Sequence, residues 1–161
     1  ATVIYEAALN EYAPLGIEAA VTNTATVSGT GITPVTAAET VNAEAAPNLA
    51  ITKSVSPVPV TENGTLTYTF RIQNYGSVAA TNTTGVVITD TFAPVLNNLT
   101  AALNGTAWTA ATDYTYNEAT GTFSSTAGAI TVPAATYTQD STTGAWVVTP
   151  GESTLVITGT V

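Results

Sequence analysis

Gly64-Thr-Leu-Thr-Tyr-Thr-Phe-Arg-Ile-Gln-Asn74 decides the fold. Leu66, Tyr68, Phe70 and Ile72 share one face, and Thr65, Thr67, Thr69 and Arg71 the other. An apolar residue at every second position, held over ten residues, is the pattern of a half-buried β-strand. Working outward, Asn48–Val55, Thr83–Thr91 and Ser153–Val161 read as further strands. So do three stretches nearer the start: Ala1–Leu9, Glu18–Ser28 and Val35–Val41. Breakers separate these runs at Ser56-Pro-Val-Pro59, Glu62-Asn-Gly64, Tyr75-Gly-Ser77, Asn104-Gly105, Asn117–Gly121, Thr143-Gly144 and Pro150-Gly151. Asn-Gly and Thr-Gly pairs favour tight hairpin turns. Ala43–Ala46 has room for one helical turn, which Pro47 would stop. The 35 threonines, with Val, Ile and Tyr, fit pleated surfaces. Short strands at regular spacing predict an all-β sandwich or barrel.

The chain has 161 residues and a net charge of −9, with one lysine and one arginine against eleven acids, and no Cys, His or Met. Two cations cannot make the basic footprint that nucleic acid or an anionic membrane requires. Without Cys and His, zinc, haem and iron–sulfur centres lose their usual ligands, and the Ser-His-Asp and Cys-His mechanisms lose their base or nucleophile. No cofactor is implied. No apolar run reaches the ~20 residues of a membrane-spanning helix. No leader segment or initiator Met is visible, which reads as a mature or processed chain.

Asn48-Leu-Ala-Ile-Thr-Lys-Ser-Val-Ser-Pro57, Val60-Thr-Glu-Asn-Gly-Thr-Leu-Thr-Tyr-Thr-Phe70, Ile72-Gln-Asn-Tyr-Gly76 and Val87-Ile-Thr-Asp-Thr-Phe92 together resemble the DUF11 family of bacterial and archaeal surface repeats. Ala13-Pro-Leu-Gly16 and Val21-Thr-Asn-Thr-Ala-Thr-Val27 look like the terminal strands of the same repeat. The C-terminal part, with Trp146-Val-Val-Thr-Pro-Gly151, is similar to two-domain members of the Clostridia type. The resemblance implies Ig-like β-sandwiches in secreted or wall-associated proteins, hence an extracellular or cell-surface setting, and no enzymatic activity.

Set against that pattern, the repeat is cut out of phase. Residues 48–161 open like a full repeat but lack its last strands, and residues 1–47 hold those strands plus a short linker. The pattern Thr2-Val-Ile-Tyr5 also matches Thr154-Leu-Val-Ile157. A domain at 48–161 is therefore expected to have an unfilled strand position, with exposed core and an unpaired edge. Three resolutions are open: the N-terminal segment folds back on its own domain, it inserts into a neighbouring molecule, or the chain is a fragment of a longer one. Insertion is favoured, giving a head-to-tail homopolymer by strand addition, with a cell wall or host surface as the wider contact. The rival function is a stalk or adhesin module that binds a glycan or host partner. The expected donor residues are Val21, Asn23, Ala25, Val27, Val35 and Val41. The expected acceptor residues are Ile51, Lys53, Leu155 and Ile157.

Lys53 reads first as a solvated lysine on a strand and second as the amine of a Lys–Asn isopeptide bond, within the chain or between subunits. Those Ig-like surface domains of Gram-positive bacteria that form isopeptide bonds join a first-strand lysine to a last-strand asparagine beside a buried acid; the matching residues here are Lys53 and Asn23 with Asp90 or Glu62, a chemistry that the DUF11 resemblance does not itself imply. That reaction needs an apolar pocket that favours the neutral amine. Asp113, Glu118 and Asp140 sit near predicted turns, where acids are usually solvated rather than catalytic or calcium-binding. Trp108, Tyr114, Tyr116, Tyr137 and Trp146 read first as core and second as a ligand platform.

Overall fold

The computed structural model describes residues 2–16 and 19–161. Ala1 and Glu18, where two of the predicted strands begin, lie outside the described residues. The chain is all-β and forms a sandwich. In chain order the strands are β1 (Ala20–Gly29), β2 (Ile32–Asn42), β3 (Leu49–Ser56), β4 (Thr65–Asn74), β5 (Thr89–Thr91), β6 (Asn97–Leu103), β7 (Thr106–Ala107), β8 (Tyr114–Asn117), β9 (Thr122–Ser125), β10 (Thr136–Gln139), β11 (Trp146–Thr149) and β12 (Gly151–Thr160).

The chain divides into two compact units. One holds Ala46–Ala135 and Pro150–Val161. Its larger sheet has the order β3-β4-β12-β6-β7 and its smaller sheet β5-β9-β8, with every ladder antiparallel. The alternation in β4 is realised as expected: Leu66, Tyr68, Phe70 and Ile72 are buried, while the intervening residues are exposed or half-buried. β12 repeats the pattern with Leu155 and Ile157 fully buried. Phe123 of β9 and Tyr114 of β8 close the core from the smaller sheet, their rings stacked at 5.3 Å. Phe92 bridges the two sheets, 4.7 Å from the Tyr68 ring and 6.4 Å from that of Phe123. Buried side chains at these distances make one continuous apolar layer.

The other unit holds the described residues up to Ala45 together with Thr136–Thr149. It contains two separate two-stranded ribbons, β1-β2 and β10-β11. The expected boundary at residue 47 is therefore only part of the division. Residues 136–149 leave the sandwich because β10 and β11 bond to each other, and the Trp146 amide donates to the Glu11 carbonyl at 2.8 Å.

Three further expectations are corrected. Thr2–Leu9 is not a strand; it is exposed chain with no ladder partner among the described residues. β-forming residues alone cannot hold a strand, because its N–H and C=O groups need a second strand to bond. Thr83–Thr91 is a strand only over its last three residues. Its start is a 3-10 turn at Asn82–Thr84, where the Thr81 amide donates to the Thr84 hydroxyl at 3.0 Å, and Gly85 then takes φ +69°. Ala43–Ala46 forms no helical turn.

Candidate functional site

The two sheets of the sandwich are unequal in width, and that inequality creates the site. β3 pairs with β4 along its whole length, from Leu49↔Asn74 to Ser56↔Thr67. Its other edge has no partner among the described residues. Register places Leu49, Ile51, Lys53 and Val55 opposite Asn74, Ile72, Phe70 and Tyr68, so they project from the inner face of the sheet. Yet Leu49, Ile51 and Val55 are 37%, 52% and 38% exposed, while Phe70 and Ile72 beside them are 3% exposed. The smaller sheet has three strands against five, with the three-residue β5 at its edge. One side of the core is therefore left open.

A groove of about 180 Å³ runs along this opening. Leu49, Ile51 and Ile72 line one wall and Val86, Val87 and Ile88 the other. Its lining is apolar, and β5, which follows Ile88, is an outer strand of its sheet. Beside the groove the two sheets meet through charge. Asp90 lies opposite Phe123 in the β5–β9 ladder and so faces inward, and it forms an ion pair with Lys53. The Lys53 ammonium also lies 4.8 Å from the Tyr68 ring centroid, 5.3 Å from that of Phe92 and 5.5 Å from that of Phe70. Three ring faces and a carboxylate are partners for a cation. The pair is partly open to water, with 39% of the lysine side chain and 18% of the aspartate exposed. Solvent screening keeps such a pair to about 1 kcal/mol or less. An inward-pointing charge on a sheet edge also discourages indiscriminate strand addition.

The structure gathers the other expected residues differently. Val21, Asn23, Ala25, Val27, Val35 and Val41 all lie on one face of the β1-β2 ribbon, because Val21 pairs with Val41, Asn23 with Glu39, Ala25 with Ala37 and Val27 with Val35. This face is exposed along its length; Val27 and Val41 are 67% and 68% exposed. The opposite face carries threonines, with the Thr22 and Thr40 hydroxyls bonded at 2.8 Å. Leu155 and Ile157 do not form an acceptor edge. They are fully buried in β12, which pairs with β4 on one side and β6 on the other and has no edge to offer. Of the two acids considered for Lys53, Asp90 is the one paired with it; Glu62 is exposed in the turn before β4. The dry pocket needed for amide formation is not present around a lysine side chain that is 39% exposed.

The aromatic residues do not form one platform. Tyr114 is buried, Trp108 and Tyr116 pack on the core, and Tyr137 and Trp146 belong to the β10-β11 ribbon. The Tyr116 and Tyr114 hydroxyls are engaged: Tyr116 accepts from the Leu96 amide at 2.8 Å and Tyr114 donates to the Leu99 carbonyl at 3.3 Å. Burial pushes the Tyr114 hydroxyl above the usual tyrosine range. Asp113 and Asp140 accept backbone amides in their own turns. Among the described residues no three His, Cys, Asp or Glu side chains are placed to hold a metal ion.

Sequence reasoning missed Leu49 and Val86–Ile88 as groove residues. The alternation of Leu49, Ile51, Lys53 and Val55 was the available signal, since a charged residue in an otherwise apolar inner row marks an uncovered strand. Comparison with protein-family models, curated protein sequences and solved structures finds no match.

Proposed function

We propose that the chain is a non-enzymatic structural subunit of an extracellular fibre, in which the β1-β2 ribbon of one copy completes the open sandwich of the next. A single observation carries this reading. The inner row of β3 is uncovered, and the same chain holds a two-stranded ribbon whose apolar face is also uncovered. Covering the exposed parts of Leu49, Ile51 and Val55 is worth on the order of 2–4 kcal/mol in total. An isolated two-stranded ribbon is only marginally stable in water, so it too gains by joining a sheet. Because donor and acceptor are different surfaces, the contact is heterologous and propagates head to tail. The resemblance to DUF11 surface repeats supports the extracellular setting.

Light scattering of the full chain over a concentration series, followed by electron microscopy, tests the proposal. Growth of linear polymers is the expected result. A species that stays at 16.3 kDa at every concentration overturns it. The match of Thr2–Tyr5 to Thr154–Ile157 favours one second reading, in which the ribbon closes a preceding repeat of a longer stalk. In that case isolated chains stay apart, and a chain carrying two tandem repeats is more stable than one.

A further inference from the structure

Resting on the polymer reading, we infer that the groove accepts a second copy of this chain in one register, set by Glu39 of the incoming copy against Lys53 of the receiving one. The inner row of β3 reads Leu49, Ile51, Lys53, Val55. The apolar-face row of β2 reads Val35, Ala37, Glu39, Val41. Both rows place two apolar residues, one charge and one apolar residue at the same two-residue spacing. Laid side by side in the same chain direction, Val35 meets Leu49, Ala37 meets Ile51, Glu39 meets Lys53 and Val41 meets Val55. The small alanine meets Ile51, the most exposed apolar residue of the row at 52%. In the opposite direction the charges meet only after a slip of two residues, and Leu49 is then left uncovered.

Charge singles out the same pair. The chain has two cations against eleven acids, so most contacts between copies bring like charges together. Arg71 is engaged by Glu152 on the outer face of the large sheet. Lys53 stands beside the open groove, and an ammonium has three N–H donors, so it keeps Asp90 while accepting a second carboxylate as partner. Glu39 is exposed and belongs to neither of these ion pairs. A slip of one pleat would set Glu39 against Ile51 or Val55, burying a carboxylate without a cation. The register is therefore fixed by what a wrong one would strand, as much as by the pair itself.

Charge exchange tests the register. Glu39→Lys and Lys53→Glu each place like charges together, and each alone should raise the concentration for half-assembly by at least about tenfold. An equimolar mixture should restore assembly, because each variant then supplies the charge the other lacks. Wild-type assembly with Glu39→Lys unimpaired, or a mixture that stays as poor as its components, overturns the register while leaving the polymer reading intact. A wild-type chain that does not assemble overturns both. Should Lys53→Glu fail to fold, zero-length carbodiimide cross-linking of mixed ¹⁵N-labelled and unlabelled wild-type chains replaces it. The expected product is a Glu39–Lys53 amide joining a labelled peptide to an unlabelled one. The same amide found only within single chains overturns the assignment to a second copy, as does its absence from cross-linked polymer.

Discussion

At the scale of single residues, Asn74 shows how one polar side chain fixes a corner of the sandwich. It ends β4, is fully buried, and uses all its hydrogen-bonding capacity. Its Oδ1 accepts from the Asn48 and Gly76 amides at 2.9 Å each, and its Nδ2 donates to the Val78 and Pro133 carbonyls at 2.8 and 2.9 Å. It thereby sets where the chain enters β3, beside the groove. Gly76 next to it has no room for a side chain, since a Cβ would lie 2.2 Å from the Ala46 carbonyl. Asn74→Ala leaves several buried backbone groups without partners, at about 1–3 kcal/mol each when they stay dry. A drop in urea stability of roughly 3 kcal/mol is expected at constant m-value. A change within experimental error would show that water replaces the amide.

At the scale of elements, the turn between β10 and β11 is held by a charge. The Asp140 carboxylate accepts the Thr143 and Thr142 amides at 2.7 and 2.8 Å, and these bonds, that to Thr143 first, hold its carboxyl below the usual aspartate range. A lowered pKa in the folded chain means that the bonds stabilise the turn above the ordinary value and are lost as the pH falls through the lowered one. The turn should therefore loosen only below about pH 4. Amide chemical shifts of Thr142 and Thr143 followed down to about pH 2 check this. Asp140→Asn should flatten the dependence, and a transition centred above pH 5 would contradict it. The ribbon behaves as one element for the same kind of local reason. Thr143-Gly144 lies in its turn and Gly144 takes φ +76°, as the sequence pattern anticipates. The strands themselves escape notice in the sequence, because four residues each is too short a run for alternation to stand out.

At the scale of the whole molecule, a charge of −9 sets copies against one another. Repulsion acts over the Debye length, which falls from about 30 Å at 0.01 M salt to about 8 Å at 0.15 M. Assembly should therefore be faster at 0.15 M than at 0.01 M salt, as followed by light scattering. Strong salt should slow the gain, because it also screens Glu39 from Lys53. Assembly that is fastest at the lowest salt would place attraction between opposite charges ahead of the overall repulsion.

By itself the sequence determined the local half of this protein. Period-two alternation marked β4 as a half-buried strand, Ser153–Val161 read as a strand, Asn104-Gly105 marked the β6–β7 turn, and the scarcity of cations singled out Lys53. These are properties of neighbouring residues, and neighbours are what a pattern records. Only the tertiary structure decided which edges stay open. The alternation of Leu155 and Ile157 is the same whether β12 lies at an edge or at the centre, and long-range pairing with β4 and β6 put it at the centre. The charge in the inner row of β3 hints at an uncovered strand, but which residues stay open follows from the short β5 at the edge of the opposing sheet. A strand's sequence states which way its side chains face; whether another strand lies across from them depends on where distant parts of the chain come to rest.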